Sequence, residues 1–340
     1  TKLSGLLGKI YSASGDEDEK KEVIAVMNRC EACINSLKAI LMQELEGHVY
    51  WAERDGKIVR LAATPIELAE LLKTAVFDNL KSGILTSATL AVNNNFTYIK
   101  ERLGLQEAEE ILLKSPFNYK EHAVLYIAGD LPEPKAKDFE EKFIDRLKAI
   151  IEITGGRTLV LFTSYSLLNK AYDAIDMEGV NILKQGDADS YRLIQMFKED
   201  DNSVLFGTYT FWQGIDVPGD DLQCVVITKL PFAVPDEPVT EARMEALQAE
   251  DKDPFSHYQI PQAAILFKQG FGRLIRNKTD RGIVAVLDSR VRTKRYGMQF
   301  LNSLPECRKT VSLDDVRSFY ITVSNMGTRR EVKKTLSQRS

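Results

Sequence analysis

The residues best suited to chemistry lie in the run Lys268-Gln269-Gly270-Phe271-Gly272-Arg273-Leu274-Ile275-Arg276. If the run is helical, Gln269, Arg273 and Arg276 step by four and three and share one face. Two guanidiniums on one face can clamp a polyanion and stabilise charge that develops on a transferred phosphoryl group. A glycine inside a helix costs about 1 kcal/mol relative to alanine. Gly270 and Gly272 therefore point to close packing or close ligand approach rather than to helix propensity. A solvated basic helix, the plainer reading, leaves both glycines without a reason.

Two further clusters follow apolar strands. After Val204–Phe206 comes Gly207-Thr208-Tyr209-Thr210-Phe211-Trp212-Gln213-Gly214-Ile215-Asp216, and after Thr158–Phe162 comes Thr163-Ser164-Tyr165-Ser166. Hydroxyls and exposed amides at a strand end suit phosphate oxygens. Ser, Thr and Gly are also the ordinary material of caps and bends, and that reading is preferred for 163–166 taken alone. Tyr165 and Trp212 can stack on bases or pack in a core, with equal standing. Cys30-x-x-Cys33 is one close pair on a helical segment, with Cys224 and Cys307 far away in sequence. Neither zinc nor an iron–sulfur cluster is expected there. His48, His122 and His257 show neither metal spacing nor triad logic. No Gly-x-Ser-x-Gly elbow with a histidine partner supports a serine hydrolase.

The elements that must position these residues are legible in outline. The chain has 340 residues, 44% hydrophobic and 28% charged, with a net charge of −4. That excludes wholesale disorder and a uniformly basic coat, but not a local basic groove. No apolar run is long enough to span a bilayer, and four cysteines make no disulfide framework, so a reducing cytoplasm is the expected setting. The chain begins with Thr1, from which a piece excised from a longer protein is expected. A long helix is predicted over 18–46, with a seam of Val23, Met27, Cys30, Ile34, Leu37 and Leu41 for one partner helix. Asp55-Gly56 predicts a hairpin, and Pro65 a helix start running to Phe77. From Gly83 onward, short apolar strands alternate with helices. Ile84-Leu85, 123–127, 158–162, 180–183, 204–206, 225–227 and 284–287 are the predicted strands, with helices at 135–153, 166–175 and 190–197. Such strands form a parallel sheet covered on both faces, so the fold class is α/β, doubly wound, complete from about 113 to 325.

Three blocks resemble the XPD/DinG group of superfamily 2 DNA helicases, most of all its bacterial DinG branch. Ile84-Leu85-Thr86-Ser87-Ala88-Thr89-Leu90 is similar to motif III, Phe206 to Gly219 to motif V, and Gln269 to Arg276 to motif VI. Leu159 to Leu168 resembles motif IV, and Lys229-Leu230-Pro231-Phe232 follows motif V as it does in that branch. The resemblance covers roughly 50 to 310, in order. It implies a RecA-like second motor domain over 113–325 and a basic tail at 326–340. Residues 81–112 would end the first motor domain, and 1–80 would hold a helical arch remnant with a β-hairpin and the return into that domain. It implies ATP with Mg2+ as cofactor, and single-stranded DNA and the protein's own N-terminal motor domain as partners. Gln269, Arg273 and Arg276 would face the γ-phosphate, one arginine acting as the finger. Gly214, Asp216 and Gly272 would line the nucleotide cleft. Ser87 and Thr89 would couple hydrolysis to domain movement. Thr163, Ser164, Thr210 and Lys229 would meet the DNA backbone. The sequence also departs from the family. It holds no Gly-x-x-x-x-Gly-Lys-Ser/Thr and no Asp-Glu-Ala-His box, so this chain alone is expected not to hydrolyse ATP. The rival expectation is a non-catalytic module, derived from a helicase, that binds single-stranded DNA or a partner.

Overall fold

The computed structural model describes residues 2–213 and 221–322. Gly214 and Asp216, the rest of the motif V block to Gly219 and the tail at 326–340 lie outside the described residues. The helices in chain order are α1 (Lys2–Ala13), α2 (Glu17–Leu41), α3 (Ala69–Ala75), α4 (Thr97–Leu103), α5 (Tyr119–His122), α6 (Phe139–Thr154) and α7 (Tyr165–Ala174). They continue with α8 (Ser190–Glu199), α9 (Tyr209–Trp212), α10 (Pro238–Ala249), α11 (Ile260–Phe271), α12 (Arg290–Thr293) and α13 (Gly297–Asn302). The strands are β1 (His48–Asp55), β2 (Ile58–Pro65), β3 (Ala123–Ile127), β4 (Thr158–Leu161), β5 (Asn181–Lys184), β6 (Ser203–Gly207), β7 (Cys224–Ile227), β8 (Gly282–Val286) and β9 (Arg308–Thr310). The chain divides into two compact units, one from 1–79 with 234–254 and one from 80–233 with 255–340.

In the first unit, Asp16 caps α2 by accepting from the Asp18 N–H at 3.0 Å. Glu17, Asp18 and Glu19 fill the first turn, where negative charge complements the helix dipole. The helix predicted to reach 46 stops at Leu41, and Gln43 turns the backbone to φ +53°. α1 packs on α2, yet the seam is covered only in part: Val23 is buried, while Ile34, Leu37 and Leu41 are exposed. β1 and β2 pair antiparallel with Asp55 opposite Ile58. Gly56 takes φ +58° in the turn, which a side chain would resist. Pro65 does not open a helix. It ends β2 opposite His48, a strand terminus where the missing N–H is tolerated, and α3 starts only at Ala69. The Arg243 Nε of α10 donates to the Ile66 carbonyl at 3.1 Å.

The second unit is built on seven strands in the order β5-β6-β4-β7-β8-β3-β9, every neighbouring pair parallel. Alternation sends Leu125, Leu161, Ile227 and Val286 to the face covered by α9, α11 and α13. Tyr126, Val160, Val226 and Ala285 go to the face covered by α6 and α7. Strands buried on both faces must be apolar throughout, which is why they were legible. This is the doubly wound, RecA-like arrangement. Ile84-Leu85 is not a strand: Ile84 is 93% exposed and Leu85 51%. A strand needs a neighbouring backbone to take its hydrogen bonds, and no described segment pairs with 84–85. β9, a three-residue edge, was not predicted.

The carboxyl ends of β7 and β8 are locked by one buried ion pair. Asp288 accepts from the Leu230 N–H at 2.8 Å, and Arg290 donates Nε at 2.9 Å and Nη2 at 2.6 Å to its oxygens. Asp288→Ala would strand a largely buried guanidinium and an amide without their acceptor. We expect a stability loss of about 3–5 kcal/mol in urea unfolding. A loss below about 1 kcal/mol would be the size of an exposed pair and would refute the locking role.

Candidate functional site

Because β5, β6, β4 and β7 are neighbours, the segments following them lie side by side at the carboxyl edge of the sheet, where open α/β sheets bind ligands. This edge carries Gln185, Thr208 to Thr210, Thr163 to Tyr165 and Lys229. Ser164 caps α7 by accepting from the Leu167 N–H at 3.3 Å, as the plainer reading of 163–166 has it. The hydroxyl proton of Ser164 is not used by that cap. Thr163 is half-buried and its side chain makes no hydrogen bond among the described residues. Lys229 is half-buried, its Nζ 4.9 Å from the centre of the Phe139 ring, and burial lowers the pKa of its ammonium.

Gln185 was missed by sequence reasoning. Its Oε1 accepts from the Thr208 N–H at 2.6 Å and the Thr208 hydroxyl at 3.0 Å. Its Nε2 donates to the Tyr165 hydroxyl at 2.7 Å and to Thr210 Oγ1 at 3.0 Å. The available signal was its place just beyond the predicted strand 180–183, close to the position that drew attention to Thr163 and Gly207.

The motif VI block does not form one helical face. α11 ends at Phe271, and Gly272 serves as its C-cap with φ −68° and ψ −7°. Arg273 and Arg276 therefore lie in the turns beyond, and their common face is corrected. What holds them is different. Arg273 donates Nε at 3.0 Å and Nη2 at 2.6 Å to the Trp212 carbonyl. Buried Asp280 accepts the backbone N–H groups of Arg276 and Asn277, each at 2.8 Å. Burial lowers the pKa values of Lys268, Arg273 and Arg276, and the nearby Asp280 carboxylate opposes that shift at Arg276. Gln269 Oε1 is a buried acceptor with no partner.

Trp212 packs and does not stack on bases: it is fully buried and its Nε1 donates to the Phe162 carbonyl at 3.1 Å. Gly270 makes room for it, since a Cβ there would sit 3.0 Å from the indole. Tyr165 is 54% exposed. Ser87 Oγ accepts from the Thr89 N–H at 3.1 Å and lies 3.2 Å from Thr89 Oγ1; neither residue bonds to another candidate. Cys30 is half-buried and Cys33 exposed. No cluster of three or more metal-binding side chains occurs among the described residues, and none of their helices is long and apolar enough to cross a membrane.

Residues 147–307 match the helicase C-terminal domain family. An ATP-dependent DNA helicase YoaA of Haemophilus influenzae is 38% identical over 296 residues, which cover 87% of this chain and 46% of that protein. A 3'-5' exonuclease DinG of Bacillus subtilis is 33% identical, over 84% of this chain and 32% of that one. An ATP-dependent helicase DinG of Mycobacterium tuberculosis is 37% identical, over 79% of this chain and 42% of that protein. The chain thus spans less than half the length of these relatives. An XPD helicase structure shares the fold with a TM-score of 0.59 at 18% identity, over 91% of this chain and 56% of that one.

The packing of Gly270 on Trp212 gives a direct test. Gly270→Ala adds a methyl against the indole, an overpacking cost of about 1–3 kcal/mol against a gain of about 1 kcal/mol in helix propensity, so a net loss of up to about 2 kcal/mol is expected as a lower melting temperature. A raised melting temperature would show that the indole yields to the methyl at little cost.

Proposed function

Because this chain belongs to the XPD/DinG group of superfamily 2 helicases, we propose that it is the C-terminal motor portion of an ATP-dependent DNA helicase. In this reading it supplies the arginine side of the ATP site and a surface for the backbone of single-stranded DNA. The observation that carries the reading is the bond from Arg273 to the Trp212 carbonyl. α9 is a single turn that carries both Thr210, a proposed DNA contact, and Trp212. A guanidinium that answers to a phosphate would therefore pull directly on the helix proposed to meet DNA.

The residues fit a nucleotide on one side. The half-buried cations Arg273 and Arg276 suit phosphate oxygens, and the unpartnered Oε1 of Gln269 suits a water O–H. Gln269 would orient the attacking water, Arg273 or Arg276 would neutralise charge on the phosphoryl group, and Gly272, Gly214 and Asp216 would line the cleft. Bound Mg2+ neutralises phosphate charge. Its ligands and the phosphate loop would come from the first motor domain, of which 81–112 would be the end and 1–80 an arch-derived part. Ser87 and Thr89 would transmit closure. Thr163, Ser164, Thr210 and Lys229 would hold DNA phosphates, contacts that ignore sequence and suit a translocating motor.

DNA-stimulated ATPase activity, measured on this chain and on a longer protein that includes the first motor domain, tests the proposal. A silent chain beside an active longer protein is expected; turnover by this chain alone would overturn the half-motor reading. In the longer protein, Arg276→Ala should lower kcat by about 10³-fold or more, and normal turnover would remove Arg276 from its role. Lys229→Ala should weaken single-strand binding evenly across sequences and reduce the salt slope by about 1. Affinity and slope equal to the wild type would retire that contact.

A further inference from the structure

We infer that Gln185 is a positioning residue that sets the hydroxyls of Tyr165 and Thr210 as hydrogen-bond donors toward the phosphodiester oxygens of a bound single strand. The inference rests on the proposed DNA-binding role of this edge and assigns a task to a residue outside the motif blocks.

The carboxamide orientation is fixed by chemistry. A backbone N–H can only donate, so the Gln185 atom 2.6 Å from the Thr208 nitrogen is the carbonyl oxygen. The other terminal atom is then the amide nitrogen, whose two N–H bonds reach Tyr165 Oη and Thr210 Oγ1. Two donors and two acceptor positions are all used, so the group is saturated and cannot flip without breaking every bond. A hydroxyl oxygen that accepts from Nε2 cannot aim its own hydrogen back along the same line. Both hydrogens therefore turn away from Gln185. Tyr165 and Thr210 are both exposed, and neither hydroxyl has another partner among the described residues. The result is a pair of outward donors drawn from the ends of β4 and β6. A phosphodiester presents acceptors only, so it fits; recognition of this kind reads backbone, not base.

The test is fluorescence anisotropy with a mixed-sequence DNA single strand on the 340-residue chain. Gln185→Met removes both amide donors without adding charge, and frees the two hydroxyls to rotate. Affinity should fall about threefold to tenfold, with the salt slope unchanged because no cation is lost. Gln185→Glu keeps the acceptor for the Thr208 N–H but draws both hydroxyl hydrogens inward. It should bind more weakly still, with a melting temperature close to the wild type. In a Tyr165→Phe/Thr210→Val background, Gln185→Met should have no further effect. An equal loss in that background, or no loss in the wild type while Thr210→Val and Lys229→Ala do weaken binding, would overturn the role of Gln185 alone. If the wild type fails to bind, or if Thr210→Val and Lys229→Ala also leave binding unchanged, the DNA-binding reading of the edge falls with it.

Discussion

The carboxyl edge of the large sheet depends on where one indole sits. Trp212 is buried, its Nε1 is held by the Phe162 carbonyl, its ring rests on the bare backbone of Gly270, and its own carbonyl receives Arg273. One residue thereby joins the end of β4, the short α9 and the turn after α11. Fully buried aromatic side chains carry about 3–5 kcal/mol each, so this junction is stiff. A stiff junction lets two distant loops respond as one body, because packed interiors switch between discrete arrangements and do not deform smoothly.

Topology completes what the junction begins. β5, β6, β4 and β7 are neighbours in space but not in sequence order, so the polar ends of four separated segments form one row. The chain as a whole is acidic, yet Lys229 after β7, Lys268 in the last turn of α11, and Arg273 and Arg276 beyond that helix are all half-buried. Local cations, not net charge, are what a polyanion meets. The buried pair of Asp288 and Arg290 fixes the ends of β7 and β8 at the same edge.

The central strands of this sheet were legible because burial on both faces favours apolar residues almost throughout. β3, β4 and β6 to β8 fall within two residues of their expected bounds. What was not legible depended on partners remote in sequence. Ile84-Leu85 has a strand's composition but no neighbour to pair with among the described residues. The spacing of Gln269, Arg273 and Arg276 is helical, yet Asp280 and the Trp212 carbonyl draw the backbone out of the helix. The seam of α2 has regular spacing, while how much of it is covered depends on the short length of α1. Gln185 acts through three hydroxyls and one amide from two other segments, a meeting that no local pattern announces.

The position of β3 carries a consequence for how the chain acquires its shape. β3 is the first strand of the sheet to be made, but its neighbours are β8 and β9, the last two. Ala123 must wait for Gly282, roughly 160 residues later, a delay of about 10–30 s at ordinary rates of synthesis. Until then an apolar segment has nascent helices for company and no ladder. The sheet closes only once β8 has been made, so its completion is governed by contacts distant along the chain.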